Sequence, residues 1–212
     1  LADPFSFDAE TTLASVPPQV MLVGGLASHA RSPGGNRLIA DRETVTGGSV
    51  MAVLPEGLGI RPIVSQGCRP IGDPFTITDA SRNLILGLGG QPAVQRLDDV
   101  LSSASETDRH PIRLGLQIGI AVEEHAAVLG TGDFLIRSVV GTDRSSGGIA
   151  IAGMVTVGET AQFHVRDPGV ATNELAALLQ PLRAESALLF TCNGRGKRFF
   201  SRPSHDATLF CD

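Results

Sequence analysis

The apolar residues of this chain come in short runs, and glycine or proline cuts many of them off. With 25 glycines and 13 prolines in 212 residues, few elements can run far before the backbone turns. Glycine admits positive φ, and proline removes a donor and blocks a continuing helix. A run such as 187–190 falls well short of the roughly 20 apolar residues that a membrane-spanning helix needs. The spacing points to an α+β fold of mixed, largely antiparallel sheets with a few packing helices, arranged as two related sub-domains. Hydrophobic residues at 42% and charged residues at 18% support a folded core. A net charge of −5 offers no basic field to nucleic acid or an anionic membrane. Trp and Tyr are absent and Phe supplies all nine aromatics, which argues against base-stacking platforms and aromatic cages.

Along the chain, 7–16 reads as a helix capped by Asp8 and stopped by Pro17-Pro18. Residues 20–23 read as a buried strand. Residues 50–54 and 60–64 read as two more, antiparallel because their connection is short. Segments 75–78 and 83–88 form a hairpin through Asp79-Ala80-Ser81-Arg82. Residues 92–103 are an amphipathic helix with Pro92 at its first position and Val94, Leu97 and Leu101 on one face. The polar stretch 102–111 reads as a loop or linker. Residues 114–122, 134–140 and 149–151 are extended. Residues 160–165 alternate, with Ala161, Phe163 and Val165 opposite Gln162 and His164. A helix over 172–180, capped by Thr172 or Asn173, turns Leu175, Leu178 and Leu179 inward. A strand at 187–191 and a helix from 205 complete the order.

Polar clusters at strand ends carry the chemistry, because α/β proteins bind ligands where strands end. In SQGCRPIG (65–72), Gln66 and Gly67 offer hydrogen-bond donors and Arg69 a planar fork suited to a carboxylate. Cys68 is either a nucleophile activated by Arg69, with His29, His125 or His164 as base, or a buried structural thiol. In QFHVRD (162–167), Gln162, His164 and Arg166 share a strand face, either lining a ligand or forming a solvated surface. In TCNGRG (191–196), Cys192 is a second candidate nucleophile, and Asn193, Gly194 and Arg195 make a cationic turn able to reach over a pocket. The pair Gly34-Gly35 with Arg31, Asn36 and Arg37 is a turn loop with some capacity for anions. His205-Asp206 reads as a helix cap. No metal motif is present.

Cys68, Cys192 and Cys211 are widely spaced, which makes a zinc knuckle unlikely, and their odd count suggests reduced thiols in the cytoplasm. The chain opens on Leu1 and stops just after a helix has begun, so it reads as a piece of a longer protein.

In order, GGNR (34–37), SQGCRPIG, GDFLIRSVVG (132–141), QFHVRDP and LLFTCNGRG (188–196) resemble the FIST proteins, named for F-box and intracellular signal transduction. The resemblance implies that 1–90 is the later part of a FIST N-terminal domain and 91–212 most of a FIST C-terminal domain, lacking both ends. It implies a cytoplasmic sensory module that takes a small ligand such as an amino acid or another small carboxylate, without catalysis and without a cofactor. It implies partners in the form of a signalling output domain or another protein. Two other readings stay open: a cysteine-dependent enzyme, and an interaction scaffold of the F-box-associated type. Haem on His164 or His29 is conceivable.

Overall fold

The computed structural model describes residues 1–55, 57–124, 129–130 and 132–211. They fall into two compact units: Leu1–Ile63 with Arg183–Cys211, and Val64–Leu182.

The second unit is built on antiparallel strands: β3 (Cys68–Ser81), β4 (Leu84–Leu88), β5 (Gln91–Pro92), β6 (Leu116–Ala121), β7 (Phe134–Asp143), β8 (Gly148–Ile151) and β9 (Thr160–Arg166). Their order is β3-β9-β6-β7-β8-β4-β5, and β3 also pairs with β4, so the ring of pairings closes. Two long strands make this possible. The first part of β3 pairs with β9 and its end with β4, and β7 passes from β6 to β8 in the same way. The ladders slip between Ile71 and Phe75 and between Val139 and Gly141, where bulges let each strand change partners. Gly72 sits in the first bulge at φ 66°, and a Cβ there would lie 2.9 Å from Val100 Cγ2.

Inside lie Ile77, Ile85, Ile118, Ile149, Ala161, Phe163 and Val165, all buried. The alternation read in 160–165 is realised in β9: Ala161, Phe163 and Val165 are the core side. The hairpin joining 75–78 to 83–88 is also present, with its turn at Arg82-Asn83. α2 (Ala93–Ser103) covers the core with Ala93, Val94, Leu97 and Val100. Pro92 is its N-cap residue, and Val100 occupies the inner position expected of the half-exposed Leu101.

The stretch read as a loop at 102–111 is largely helical: α3 (Glu106–Leu114). Ser105 and Asp108 form a capping box that starts it, and Pro111 lies inside the helix, where its missing N–H removes one intrahelical bond. α4 (Pro168–Leu179) begins four residues before the expected 172, because Asp167 caps it by accepting from the Gly169 and Val170 N–H groups.

The first unit is sparer. α1 (Ala9–Ser15) is capped by Asp8 as expected. A short ladder joins β1 (Leu38–Ala40) and β2 (Glu43–Val45). α5 (Lys197–Phe200) and α6 (His205–Cys211) follow a 3-10 turn at Asn193–Arg195. The strands expected at 20–23, 50–54 and 187–191 do not form ladders, and neither does 60–64, which spans the unit boundary. These segments carry no regular secondary structure and are largely exposed. A strand needs a neighbour along its length to satisfy its N–H and C=O groups, and among the described residues these runs find only isolated bonds, such as the exchange between Val50 and Leu1.

Candidate functional site

Of the candidates in 66–69 and 162–166, Cys68, Gln162, His164 and Arg166 meet on one side of the β3–β9 pair, whereas Arg69, opposite Val165, falls on the other. Cys68 lies opposite Arg166 and Pro70 opposite His164. Opposed residues share a face, so Cys68, Gln162, His164 and Arg166 lie on the side away from the Phe163 core. β6 completes this face with Gln117 opposite His164 and Gly119 opposite Gln162. A Cβ on Gly119 would fall 2.7 Å from His164 Cε1 and 2.8 Å from Phe134 Cβ. The glycine is what lets the imidazole lie down on the sheet.

His164 is therefore buried, in edge contact with the Phe134 ring at 4.9 Å. Its Nδ1 is 2.9 Å from the Gln162 carbonyl oxygen. A carbonyl can only accept, so Nδ1 carries the proton and Nε2 is left as an acceptor. Burial holds the imidazole below its ordinary pKa of 6.5, outweighing the opposing pull of that carbonyl.

The SQGC segment is a clasp. Gln66 Nε2 donates to the Phe134 carbonyl at 2.7 Å, and its Oε1 accepts the Ile136 N–H at 3.2 Å. One side-chain amide thus replaces a missing strand neighbour for β7. Gly67, at φ 65°, and Ser65 Oγ both donate to Glu174 Oε2 at 2.8 Å, tying the segment to α4. Gln162 Nε2 donates to the Gly72 carbonyl at 2.7 Å and spans the bulge in β3. The Cys68 thiol is buried and donates to the Gln66 carbonyl. Cys68, His164, Gln66, Phe134 and Glu174 line a hollow with room for about one water molecule. That space admits neither a substrate nor a haem.

Arg69 binds two carboxylates. Its Nε donates to Asp167 Oδ2 at 3.0 Å and its Nη2 meets Asp108 Oδ1. One guanidinium so holds the N-terminal caps of α3 and α4 to β3. Ser105 first, then Arg69, keeps Asp108 below the ordinary carboxylate range. Burial pushes Asp167 upward, but the Val170 N–H and Arg69 together bring it below the usual value. Burial lowers the Arg69 pKa, and the two carboxylates more than offset that.

Candidates 192–195 belong to the first unit, whereas Arg69 and His164 belong to the second. Cys192 and Asn193 are exposed, Gly194 and Arg195 half-buried. The Arg195 N–H closes the turn on the Cys192 carbonyl at 3.0 Å. The Arg195 side chain does not swing free. Its Nε and Nη2 donate to Asp206 Oδ2 and Oδ1 at 2.6 and 2.9 Å. Thr191 Oγ1 also donates to Asp206, and His205 Nδ1 lies 3.1 Å from its Oδ1. His205 stacks on Phe200 at 3.6 Å, and the guanidinium lies 5.3 Å from the same ring. Burial raises the Asp206 pKa, but the bonds from Arg195 and His205 bring it below the ordinary value. Asp206 is thus the anchor of this network, where the sequence suggested a cap. One group is left over: Arg195 Nη1 is buried and has no hydrogen-bond partner among the described residues.

The GGNR loop is structural. Asn36 is buried and donates to Asp3 Oδ1 at 2.7 Å, and Ser6 Oγ donates to Asp3 Oδ2 at 2.6 Å. Arg37 Nη1 donates to the carbonyls of Gly34 and Asn36. His29 is exposed, and His125 lies outside the described residues. An open cleft in the second unit has Thr78, Asp79, Gln91 and Ser146 as its polar lining, which offers an anion no cation. Among the described residues no group of three or more His, Cys, Asp or Glu is placed to hold a metal ion. No helix among them is long and apolar enough to cross a membrane.

Comparison with known proteins decides what this arrangement belongs to. The FIST N domain model matches residues 1–91 and the FIST C domain model residues 93–210. The chain belongs to the FIST family. FIST domains are sensory domains of signal-transduction proteins. Uncharacterized proteins of Mycobacterium bovis and Mycobacterium tuberculosis are each 45% identical over 217 residues, covering 98% of this FIST chain and 56% of their own length. Another uncharacterized protein of Mycobacterium tuberculosis is 41% identical over 221 residues, covering all of the chain and 57% of its own length. The chain thus spans little more than half the length of these relatives. No solved structure matches it. In this FIST chain β3 and β4 of the N-domain match pair with β9 and β8 of the C-domain match.

Proposed function

We propose that this chain is a sensory module that binds a small carboxylate, such as an amino acid, at Arg195, without catalysis. The observation that carries this reading is the buried Nη1 of Arg195, whose N–H groups lack an acceptor among the described residues. A buried donor left without a partner costs about 1–3 kcal/mol, which a ligand oxygen would recover. Asp206 and the Phe200 ring already hold the guanidinium in place, so little ordering is left for binding to pay for. Asn193 and Gly194 precede it in the same 3-10 turn and in this reading would meet the rest of the ligand. Gln66, Gly67, Arg69 and Gln162 play a supporting part in this reading, because their groups bind the protein itself. Family membership supports the sensory role. The three free cysteines favour a cytoplasmic setting. The bound state would be passed to a signalling output domain or partner protein through a differential affinity for two conformations.

Thermal unfolding against a panel of amino acids and small mono- and dicarboxylic acids tests this. At saturating ligand at least one acid raises Tm by about 2 °C or more. The shift disappears in Arg195→Lys, which keeps a cation for Asp206 but loses the fork. If no acid shifts Tm, or Arg195→Lys responds like the parent, the reading fails.

A further inference from the structure

Three segments of the first unit, 20–23, 50–54 and 187–190, share an unusual combination of properties. They have no regular secondary structure, none joins a ladder beyond the bonds Val50 exchanges with Leu1, and none contains a charged residue. Their side chains lie open: Val53 is 94% exposed and Leu188 79%, with Met21, Val23, Leu54 and Phe190 also exposed. Their sequences, VMLV, VMAVL and ALLF, are continuously apolar. An alternating strand buries one face, but a continuous apolar run belongs to a strand covered on both. The rest of the unit cannot supply this cover, since among its described hydrophobic residues only Ala2, Leu38 and Phe200 are buried.

We infer that these segments are interior strands of a larger sheet, and that their cover is the part of a FIST protein lying outside the matched region. The relatives have such a part: only 56% of their length matches this chain. The chemistry also selects the occupant. A second copy meeting this surface about a twofold axis would cover one face of each run and leave the other wet. Strands alongside and packing elements on both faces, as a continuation of the same domain provides, satisfy all three runs. Open apolar strands of this kind would otherwise be sites of aggregation.

Hydrogen exchange on the Mycobacterium tuberculosis relative, whole and cut to its matched 217 residues, tests the inference. At positions matching 20–23, 50–54 and 187–190, amides of the whole protein exchange at least about 100-fold more slowly than those of the cut form. Positions matching β9 change by less than about threefold. Equal exchange at the three segments in both forms overturns the inference. So does a dimer of the present chain, seen by light scattering, in which those segments are as protected as in the whole relative. Should the cut form fail to fold, aspartate at the position matching Val53 in the whole relative decides. A fall in Tm of about 5 °C or more supports burial there, and no fall overturns it.

Discussion

The two units are held together by different physics. In the second, a closed ring of antiparallel strands surrounds Ile77, Ile118, Phe163 and their neighbours, and α2 caps the core. In the first, the buried groups are largely polar: Asp3 with Asn36 and Ser6, and Asp206 with Arg195, His205 and Thr191. Charge networks fix geometry well but contribute little net stability, because desolvation offsets much of the attraction. Apolar burial does the reverse: it stabilises without specifying a direction. A unit rich in the first and poor in the second is suited to responding to a ligand or a neighbour.

Core truncation should separate the units most sharply. Phe163→Ala is expected to cost about 3–5 kcal/mol in urea unfolding, and Val53→Ala less than about 0.5 kcal/mol. Similar costs would break the contrast. Next comes the charge network. Arg195→Met leaves the Asp206 carboxylate buried without its cation and should cost about 3 kcal/mol. Most of that should return in the double variant Arg195→Met/Asp206→Leu. Hydrogen exchange should place the loss in 191–211 and leave β9 protected.

Gly119→Ala should cost about 1–3 kcal/mol, since the new methyl group meets His164 and Phe134 inside van der Waals distance. Unchanged unfolding would mean that the imidazole has room to move. The smallest effect is with pH. The folded His164 pKa is depressed below 6.5, so the unfolded chain takes up the proton first and stability falls as pH drops through that value. His164→Gln should flatten the slope between pH 7 and 5. Asp108, Asp167 and Asp206 are also depressed, and their contributions are lost only as pH falls below the ordinary 3.8.

Much of the second unit was legible in the sequence. The alternation of Ala161, Phe163 and Val165 placed β9's core face, and the apolar spacing of Val94 and Leu97 found α2. The capping box at Ser105 was present in the sequence, but Pro111 and the polar composition masked α3. The candidate site was less legible. Its residue types were found, but not their partners: Arg69 meets Asp167 across 98 positions and Gln66 meets Phe134 across 68. A charged partner within reach was Asp206, eleven residues from Arg195 and read as a cap.

What the sequence determined by itself was whatever depends on neighbours along the chain: the Asp8 cap, the turn glycines, the faces of β9 and α2, and membership of the FIST family. The tertiary structure decided which extended runs become strands and which charges answer each other. A helix closes its hydrogen bonds within itself, but a strand or an ion pair must wait for a distant segment to arrive. VMLV and TAQFHVR both read as strands, and only the second meets its neighbours here.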